Sequence, residues 1–218
     1  MIREILHERQ IAFLEAVGRS PLSGNFYLTG GTALAAFYLK HRFSEDLDFF
    51  SEREIDVLAL NVFLGGLKKK LGFSTMDFQQ SFNRNLFFLY FPDRILKIEF
   101  TFYPFPRIEK GVRKYGLEID SIRDIAVNKL FTIYQRIAAR DYVDLYFICR
   151  ERKFTIRDLT KKAKAKFDWH IDPLQLGTRF VSVKKAKDYP KMITPLDIGD
   201  CQKFFLEEAK KLKPEIME

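Results

Sequence analysis

Apolar residues near the amino terminus recur at helical spacing and then give way to shorter runs. From Ile2 to Val17 they form one stripe, which predicts an amphipathic helix packed against a core. The segment FYLTGG, residues 26–31, predicts a short strand that enters a glycine turn. Thr32 is the expected N-cap of the helix ALAAFYLKH that follows, so the glycine turn should stand at the start of a helix.

The next segments predict one more helix and three strands. EDLDFFS, residues 45–51, predicts a strand, and residues 55–71 predict a helix that contains two glycines. RNLFFLYF and RILKIEFTFY, residues 84–91 and 94–103, predict a hairpin whose first strand is buried on both faces and whose second alternates. In that second strand the polar residues should share one face and the apolar residues the other. The two sets are Lys97, Glu99 and Thr101 against Leu96, Ile98, Phe100 and Phe102.

The second half of the chain shows helical spacing and no convincing strand pattern. Residues 121–151 form one long helical pattern with an expected break near Ala139 and Arg140, and prolines divide the remainder into short helices. The predicted fold class is therefore α+β. Residues 1–120 are expected to form a catalytic α/β region, and residues 121–218 a helical region that completes the cleft.

Composition indicates a folded protein and argues against several classes. The 218 residues are 47% hydrophobic, which is enough for a substantial core. The sequence has no uncharged apolar run of about 18 residues, the length needed to span a bilayer. The first residues carry charges where a signal peptide is apolar, so we expect a cytoplasmic protein without a membrane partner. Cys149 and Cys201 lack the spacing of a zinc site or a disulfide framework. A net charge of +8 favours a nucleic-acid or nucleotide partner, with simple solubility as the alternative.

Asp46 and Asp48 are the strongest candidates for chemistry. Two residues apart on a strand, they leave the same face with backbones roughly 6 to 7 Å apart. Such a pair suits Mg²⁺ or Mn²⁺, although an isolated Asp-x-Asp is more often a solvated edge or turn. Glu99 offers a third carboxylate, and three carboxylates can hold two metal ions about 4 Å apart for in-line phosphoryl displacement. Glu99 could also help to deprotonate the incoming hydroxyl, or simply pair with Lys97 or a cross-strand arginine.

Two further groups of residues suggest nucleotide contacts. Gly30 and Gly31 would let backbone amides approach a phosphate closely, and Thr32 adds a hydroxyl. In the long helical pattern, Lys129, Arg136 and Arg140 fall within a narrow arc and could hold a triphosphate.

The alternative for this arc is a solvated face with an Arg140–Asp144 pair at i, i+4. Asp141 could be a surface acid or part of the site. His41, Arg42 and Ser44, which precede the aspartate pair, are further candidate nucleotide contacts, although a helix-terminal His followed by Arg also favours the helix dipole.

These motifs, GGTALA, HRFSEDLDFF, KIEF and NKLFTIYQRIAARDYVDLYFI, resemble the AbiEii/AbiGii toxin family of the DNA polymerase beta-type nucleotidyltransferase superfamily. The resemblance covers Phe26 to Ile148. It implies a nucleotidyltransferase-type mixed sheet flanked by helices, and transfer of a nucleoside monophosphate from an NTP with release of pyrophosphate, an EC 2.7.7-type activity. It also implies a toxin–antitoxin or phage-defence setting, a cognate antitoxin protein, and tRNA or another RNA as acceptor.

The resemblance assigns roles residue by residue. Gly30, Gly31 and Thr32 match the phosphate-side turn, and Asp46 and Asp48 the metal ligands. Lys129, Asp141 and Asp144 match the helical motif of the family. Glu99 stands where the superfamily commonly has Asp, which places its ligand role in question, and the Gly-Gly pair replaces the more usual Gly-Ser.

Three hypotheses follow. The first is a metal-dependent nucleotidyltransferase with Asp46, Asp48, Glu99 and Lys129 as catalytic residues. The second is a catalytically inactive nucleotide- or RNA-binding regulator of the same fold, motivated by Glu99. The third, a metal-dependent phosphatase or sugar transferase, fits less well, because the charged segment KHRFSE is unlike the apolar strand that precedes a phosphatase nucleophile.

Overall fold

The computed structural model describes residues 5–214, which form two compact units. Unit 1 comprises the residues up to Tyr38, Ser44–Pro106 and Lys110–Ser121. Unit 2 comprises Leu39–Phe43, Arg107–Glu109 and the residues from Ile122 onward. Among residues 5–214, none of the helices is both long enough and apolar enough to cross a bilayer.

Unit 1 is built on a mixed sheet with helices. Its helices are α1 (Glu8–Gly18), α2 (Gly30–Leu34, continued by a π-helical turn over Ala35–Leu39) and α3 (Val57–Leu71), with a 3₁₀ turn at Pro21–Gly24. Its strands are β1 (Tyr27–Thr29), β2 (Leu47–Ser51), β3 (Thr75–Ser81), β4 (Arg84–Tyr90), β5 (Ile95–Phe102), β6 (Arg113–Lys114) and β7 (Leu117–Ile119).

The strands lie in the order β3-β4-β5-β2-β1-β7-β6. The pairs β2–β5 and β1–β7 are parallel, and the other neighbours are antiparallel. The predicted mixed sheet is confirmed, and so is the β4–β5 hairpin. The crossover that makes β2 parallel to β5 is what places residues far apart in sequence on adjacent strands.

One face of this sheet carries the core of unit 1. Phe49 and Phe100 are fully buried and their rings stack at 5.0 Å. Phe13 of α1 lies 6.1 Å from Phe49, ring centre to ring centre, so the apolar stripe covers this face as the spacing predicts. The helix begins only at Glu8, however, and the predicted start at Ile2 lies outside the described residues. The opposite face holds the polar residues of β2 and β5.

Two local predictions for unit 1 are wrong, and the edge strand β3 was missed. β4 alternates between buried and half-exposed residues, whereas β5 is the more continuously buried strand, so the hairpin has the reverse of the expected pattern. β3 was not predicted, because it is an almost wholly exposed edge strand without apolar alternation. Thr32 is not the N-cap of α2. The helix begins at Gly30, its N-cap is Thr29, and the Thr29 side chain makes no capping hydrogen bond.

Unit 2 is helical, as predicted. It contains α4 (Ile122–Gln135), α5 (Ala139–Arg152), α6 (Ile156–Phe167), α7 (Pro173–Val181), a 3₁₀ turn (Ser182–Lys185) and α8 (Ile198–Lys211). Tyr142, Phe180 and Phe205 are fully buried, and the Phe205 ring lies 5.0 Å from Tyr142 and 5.4 Å from Phe180. The expected break in the long helical pattern is confirmed between Gln135 and Ala139.

Candidate active site: an acidic sheet face

Asp48 lies on β2 and Asp46 immediately precedes the strand, and both are on the polar side of the sheet. Leu47 and Phe49 are fully buried, while Asp46 and Asp48 remain partly exposed. This alternation is the one that the sequence predicts, because successive side chains of a strand point to opposite faces. The apolar residues therefore anchor β2 and leave both carboxylates on the polar side.

Glu99 stands beside Asp48 because β2 and β5 run parallel with Asp48 opposite Glu99. The Glu99 side chain is 8% exposed. Both of its oxygens accept hydrogen bonds of 2.6 Å from Arg84, one from Nε and one from Nη2, and Thr101 donates a third of 2.8 Å. The cross-strand arginine named as an alternative partner for Glu99 is thus present, and it is Arg84.

The environment of Glu99 keeps its carboxyl group ionised. Burial by itself would raise its pKa, but hydrogen bonds from Arg84 and Thr101 and the nearby positive charges outweigh burial, so the pKa falls below its ordinary value. Glu99 is therefore an anion at neutral pH, as a metal ligand must be, and for the same reason a weak general base.

Lys97 neutralises Asp46 as Arg84 neutralises Glu99. Its Nζ lies 2.7 Å from Oδ2 of Asp46, and both side chains are about one-third exposed. Lys97 is two residues before Glu99 on β5, so both side chains leave the strand on the same side. We name this surface, formed by Asp46, Asp48, Lys97, Glu99 and Arg84, the acidic face.

Gly30 is the close neighbour of Asp48. Its φ of +73° lies in the left-handed region, and a Cβ added there would stand 2.4 Å from Oδ2 of Asp48. Only glycine fits this position without displacing the carboxylate. The glycine turn therefore lies against the acidic face, and the sequence correctly linked the two motifs.

Thr32 and Ser44 support the backbone that carries Asp46. Thr32 is buried, its hydroxyl shares a 2.8 Å hydrogen bond with Ser44, and it also donates to the main-chain carbonyl of Asp46. Gln10 of α1, also buried, donates from Nε2 to the carbonyl of Glu45 at 2.9 Å. These contacts fix the main chain of Glu45 and Asp46, which leads into β2. Sequence reasoning missed Gln10 altogether, because a glutamine inside an amphipathic helix carries no local signal of a distant partner.

Arg84 is the second residue that sequence reasoning missed. It begins β4, where it lies opposite Thr101 of β5. The signal that could have found it is the register of the predicted hairpin, since a residue opposite Thr101 shares the face of Glu99.

In unit 2, the other predicted site residues form a buried ion-pair network around Asp144. Arg42 donates to the two Asp144 oxygens from Nε at 2.6 Å and from Nη2 at 2.8 Å. His41 Nε2 lies 2.8 Å from Oδ1, and Lys129 Nζ lies 2.7 Å from Oδ2. Asp141 accepts a second contact from Lys129, also at 2.7 Å. The network ties α4 and α5 to the segment that carries His41 and Arg42.

Charge compensation in this network overrides burial. Burial would raise the pKa of the fully buried Asp144, but Lys129 and Arg42 hold it well below its usual range. Burial would likewise lower the pKa of Lys129, yet Asp144 and Asp141 raise it above the ordinary lysine value. Asp144 and Lys129 are therefore both charged at neutral pH.

The predicted basic arc of Lys129, Arg136 and Arg140 is wrong as a single helical stripe. The chain leaves α4 at Gln135 and begins α5 at Ala139, so the three residues do not share one helix. Arg136 is exposed and its Nη2 lies 3.3 Å from Asp141. The alternative Arg140–Asp144 pair is also wrong, because Arg140 is exposed and Asp144 is buried among other cations.

The acidic face has the donor chemistry of a hard-cation site. Carboxylate oxygens are the ligands that Mg²⁺ and Mn²⁺ prefer, and Asp46, Asp48 and Glu99 present them on one side of two adjacent strands. Within residues 5–214, however, no three acidic, His or Cys side chains are gathered closely enough to hold a metal as they stand. Lys97 and Arg84 contact two of the three carboxylates directly.

A family model described as nucleotidyl transferase AbiEii toxin, type IV toxin–antitoxin system, matches residues 12–213. An uncharacterized protein of Aquifex aeolicus (strain VF5), aq_aa25, is 32% identical over 166 residues, which cover 74% of this chain and 76% of that protein.

Two solved structures share the fold. JHP933 from Helicobacter pylori superposes with a TM-score of 0.61 at 22% identity, over 96% of this chain and 91% of that one. MenT4, the nucleotidyltransferase toxin Rv2826c from Mycobacterium tuberculosis H37Rv, has a TM-score of 0.61 at 14% identity, over 97% and 88% of the two chains. At these identities the likeness is one of fold.

Proposed function

Because the chain belongs to the AbiEii family of nucleotidyl transferase toxins of type IV toxin–antitoxin systems, we propose that it is a metal-dependent nucleotidyltransferase whose site is the acidic face. It transfers a nucleoside monophosphate from an NTP to an acceptor hydroxyl. The observation that carries this proposal is the parallel register of β2 and β5, which sets Glu99 beside Asp48 on the side that also bears Asp46.

Each candidate site residue of unit 1 has its own role in this proposal. Asp46, Asp48 and Glu99 would hold Mg²⁺ or Mn²⁺, which supply charge stabilisation for the phosphoryl group being transferred. The proposed role of Gly30 and Gly31 is to let backbone amides approach a phosphate, while Thr32 and Ser44 fix the position of Asp46 through its main chain. The low pKa of Glu99 suits a ligand better than a base, so we assign it to metal binding.

The residues of unit 2 divide into two groups. Lys129, Arg42, Asp141 and Asp144 are engaged with one another, and we assign them to holding the helices in place. Arg136 and Arg140 are exposed, and the contact of their guanidinium groups with triphosphate stays a prediction. Its support is chemical, since arginine is well suited to phosphate oxygens.

The acceptor and partner follow from charge and family. A net charge of +8 favours a polyanionic acceptor, and we propose tRNA or another RNA. A cognate antitoxin protein is proposed from the toxin–antitoxin setting of the family.

The test is transfer of label from each α-labelled NTP to total RNA, with Mg²⁺ or Mn²⁺. We expect transfer by the wild type and loss of at least two orders of magnitude in Asp48→Asn. Asp77→Asn is the matched control, since Asp77 is an exposed acid on the edge strand β3 whose partner Tyr90 can also donate to an amide oxygen. Transfer by Asp48→Asn at the wild-type rate would contradict the proposal.

A second function is favoured by one observation. Asp46 and Glu99 are each neutralised by a basic residue of the same sheet, as expected of a regulator that binds nucleotide or RNA without turnover. Tight NTP binding with no transfer to RNA, protein or small acceptors under either metal would support this alternative.

A further inference from the structure

Arg84 and Lys97 are placed directly on two of the proposed metal ligands. Arg84 makes a two-pronged contact with both oxygens of Glu99, and Lys97 reaches Oδ2 of Asp46. A divalent ion needs the same oxygens and carries the same sign of charge as these side chains. Metal ligation and the two ion pairs therefore compete for the same atoms.

Both basic side chains can leave their carboxylates at moderate cost. The Arg84 side chain is 51% exposed and that of Lys97 is 29% exposed, so each can regain water when its contact breaks. Breaking such a pair costs less than breaking one that is buried on both sides, because water replaces the lost contact of the basic side chain. Glu99 itself is buried and could not lose its counter-charge without a replacement.

From these contacts we propose that Arg84 and Lys97 are exchangeable counterions of the acidic face. They neutralise Glu99 and Asp46 in the metal-free protein and yield those oxygens to Mg²⁺ or Mn²⁺. This inference rests on the proposed function, because it takes Asp46, Asp48 and Glu99 as the metal ligands. Arg84 and Lys97 are positioning residues that set how tightly the site takes its metal.

Metal affinity without nucleotide tests the proposal directly. Free Mn²⁺ is measured by electron paramagnetic resonance during titration of each variant. We expect Arg84→Gln and Lys97→Met to bind Mn²⁺ roughly five-fold more tightly than the wild type, which is the gain expected when a half-exposed competing ion pair is removed. Arg84→Lys retains the charge but loses the two-pronged contact, so its Mn²⁺ affinity should fall between those of the wild type and Arg84→Gln.

Matched controls separate local competition from the change in overall charge. Arg53→Gln and Lys69→Met remove the same charges from exposed positions outside the acidic face, after β2 and on α3. We expect these variants to bind Mn²⁺ less than two-fold more tightly than the wild type, because exposed distant charges are largely screened at about 0.15 M salt. Thermal unfolding confirms that each variant is folded, and if Arg84→Gln is not, Arg84→Lys and Lys97→Met decide the outcome.

A spectroscopic signature should accompany metal binding. The Nε–H resonance of Arg84, assigned by its absence in Arg84→Gln, should shift from a hydrogen-bonded to a solvent-exposed position as Mg²⁺ is added. A metal-saturated protein with an unchanged Arg84 resonance would overturn the exchange.

The remaining outcomes distinguish this inference from the proposed function. Equal or weaker Mn²⁺ binding in Arg84→Gln and Lys97→Met than in their controls would overturn the counterion proposal and leave the metal site standing. If the wild type bound no Mn²⁺, or bound it equally well after Asp48→Asn, both the counterion proposal and the metal-dependent function would fall.

Discussion

Asp144 of unit 2 and Glu99 of unit 1 are both buried carboxylates held by arginine, but their partners differ in access to water. Asp144 is bound by Arg42, whose side chain is only 4% exposed, and by the nearly buried Lys129. Glu99 is bound by Arg84, half of whose side chain is exposed. A counterion that is itself buried cannot be released to water, whereas a buried acid with an exposed counterion can exchange that counterion for a ligand.

This contrast gives the two networks different expected consequences. Breaking a sealed pair leaves an uncompensated buried charge, which is costly. Breaking the half-exposed pairs of the acidic face should change metal affinity and chemistry more than folding. Mutations can therefore separate the two roles.

The largest expected effect on stability is at the buried ion-pair network around Asp144, called here the sealed network. Asp144→Asn leaves Lys129 and Arg42 buried without their shared carboxylate, and we expect it to lower the free energy of unfolding by about 3 to 5 kcal/mol. Urea denaturation measures this change. The control is Asp168→Asn, an exposed helix C-cap in the left-handed region that asparagine also tolerates, so its effect should stay within about 0.5 kcal/mol. A loss below about 1 kcal/mol in Asp144→Asn would contradict the structural role.

Gly30→Ala should cost less stability and yet remove most activity. A left-handed φ costs a non-glycine residue about 1 to 2 kcal/mol, and the added methyl group must also displace the Asp48 carboxylate. We expect urea denaturation to show a free energy of unfolding lowered by about 1 to 2 kcal/mol, together with a drop in label transfer of at least ten-fold. Gly65→Ala is the matched control, because Gly65 lies within α3 with open space around it and alanine there should be neutral or stabilising by up to about 1 kcal/mol. Normal transfer by Gly30→Ala would place Asp48 outside the chemistry.

Acid should act on the sealed network only at low pH. The folded pKa of Asp144 is depressed, so its stabilising contribution is fully present above the unfolded value of about 3.9 and is lost as pH falls from there through the folded pKa. The difference in unfolding free energy between wild type and Asp144→Asn should therefore be constant from pH 7 to about 5 and shrink below about 4. A difference that already shrinks between pH 7 and 6 would show that another group governs the network.

The smallest effect on stability is expected at Arg140. Its side chain is exposed on α5, so Arg140→Ala should change the free energy of unfolding by no more than about 0.5 kcal/mol. Thermal or urea denaturation checks this. A loss above about 1.5 kcal/mol would mean that Arg140 belongs to the buried network after all, and would weaken the division between sealed and exposed charges.

Local periodicity was enough to predict the acidic residues and the glycine turn. The alternation of Asp46 and Asp48 with buried Leu47 and Phe49 depends only on the two-residue period of a strand, and the helical second half depends only on helical spacing. These features need no knowledge of distant partners.

The parts that failed depend on contacts between distant segments. Arg42 and Asp144 are separated by 102 positions, so the sequence suggested the local Arg140–Asp144 pair instead. The hydroxyl of Thr32 bonds to Ser44 and Asp46 rather than capping its own helix. β3 lacks an apolar face because it is an exposed edge, and therefore lacked the signal by which strands are recognised.

The central claim is that Asp46, Asp48 and Glu99 bind the catalytic metal ions. The most direct measurement is anomalous scattering at the manganese edge from crystals grown with Mn²⁺ and a non-hydrolysable NTP. The account predicts an anomalous peak about 2.0 to 2.3 Å from carboxylate oxygens of Asp46 and Asp48, with Glu99 within ligand distance of a metal and Arg84 withdrawn from it. Bound nucleotide with no manganese at these carboxylates, or manganese held only elsewhere, would contradict it.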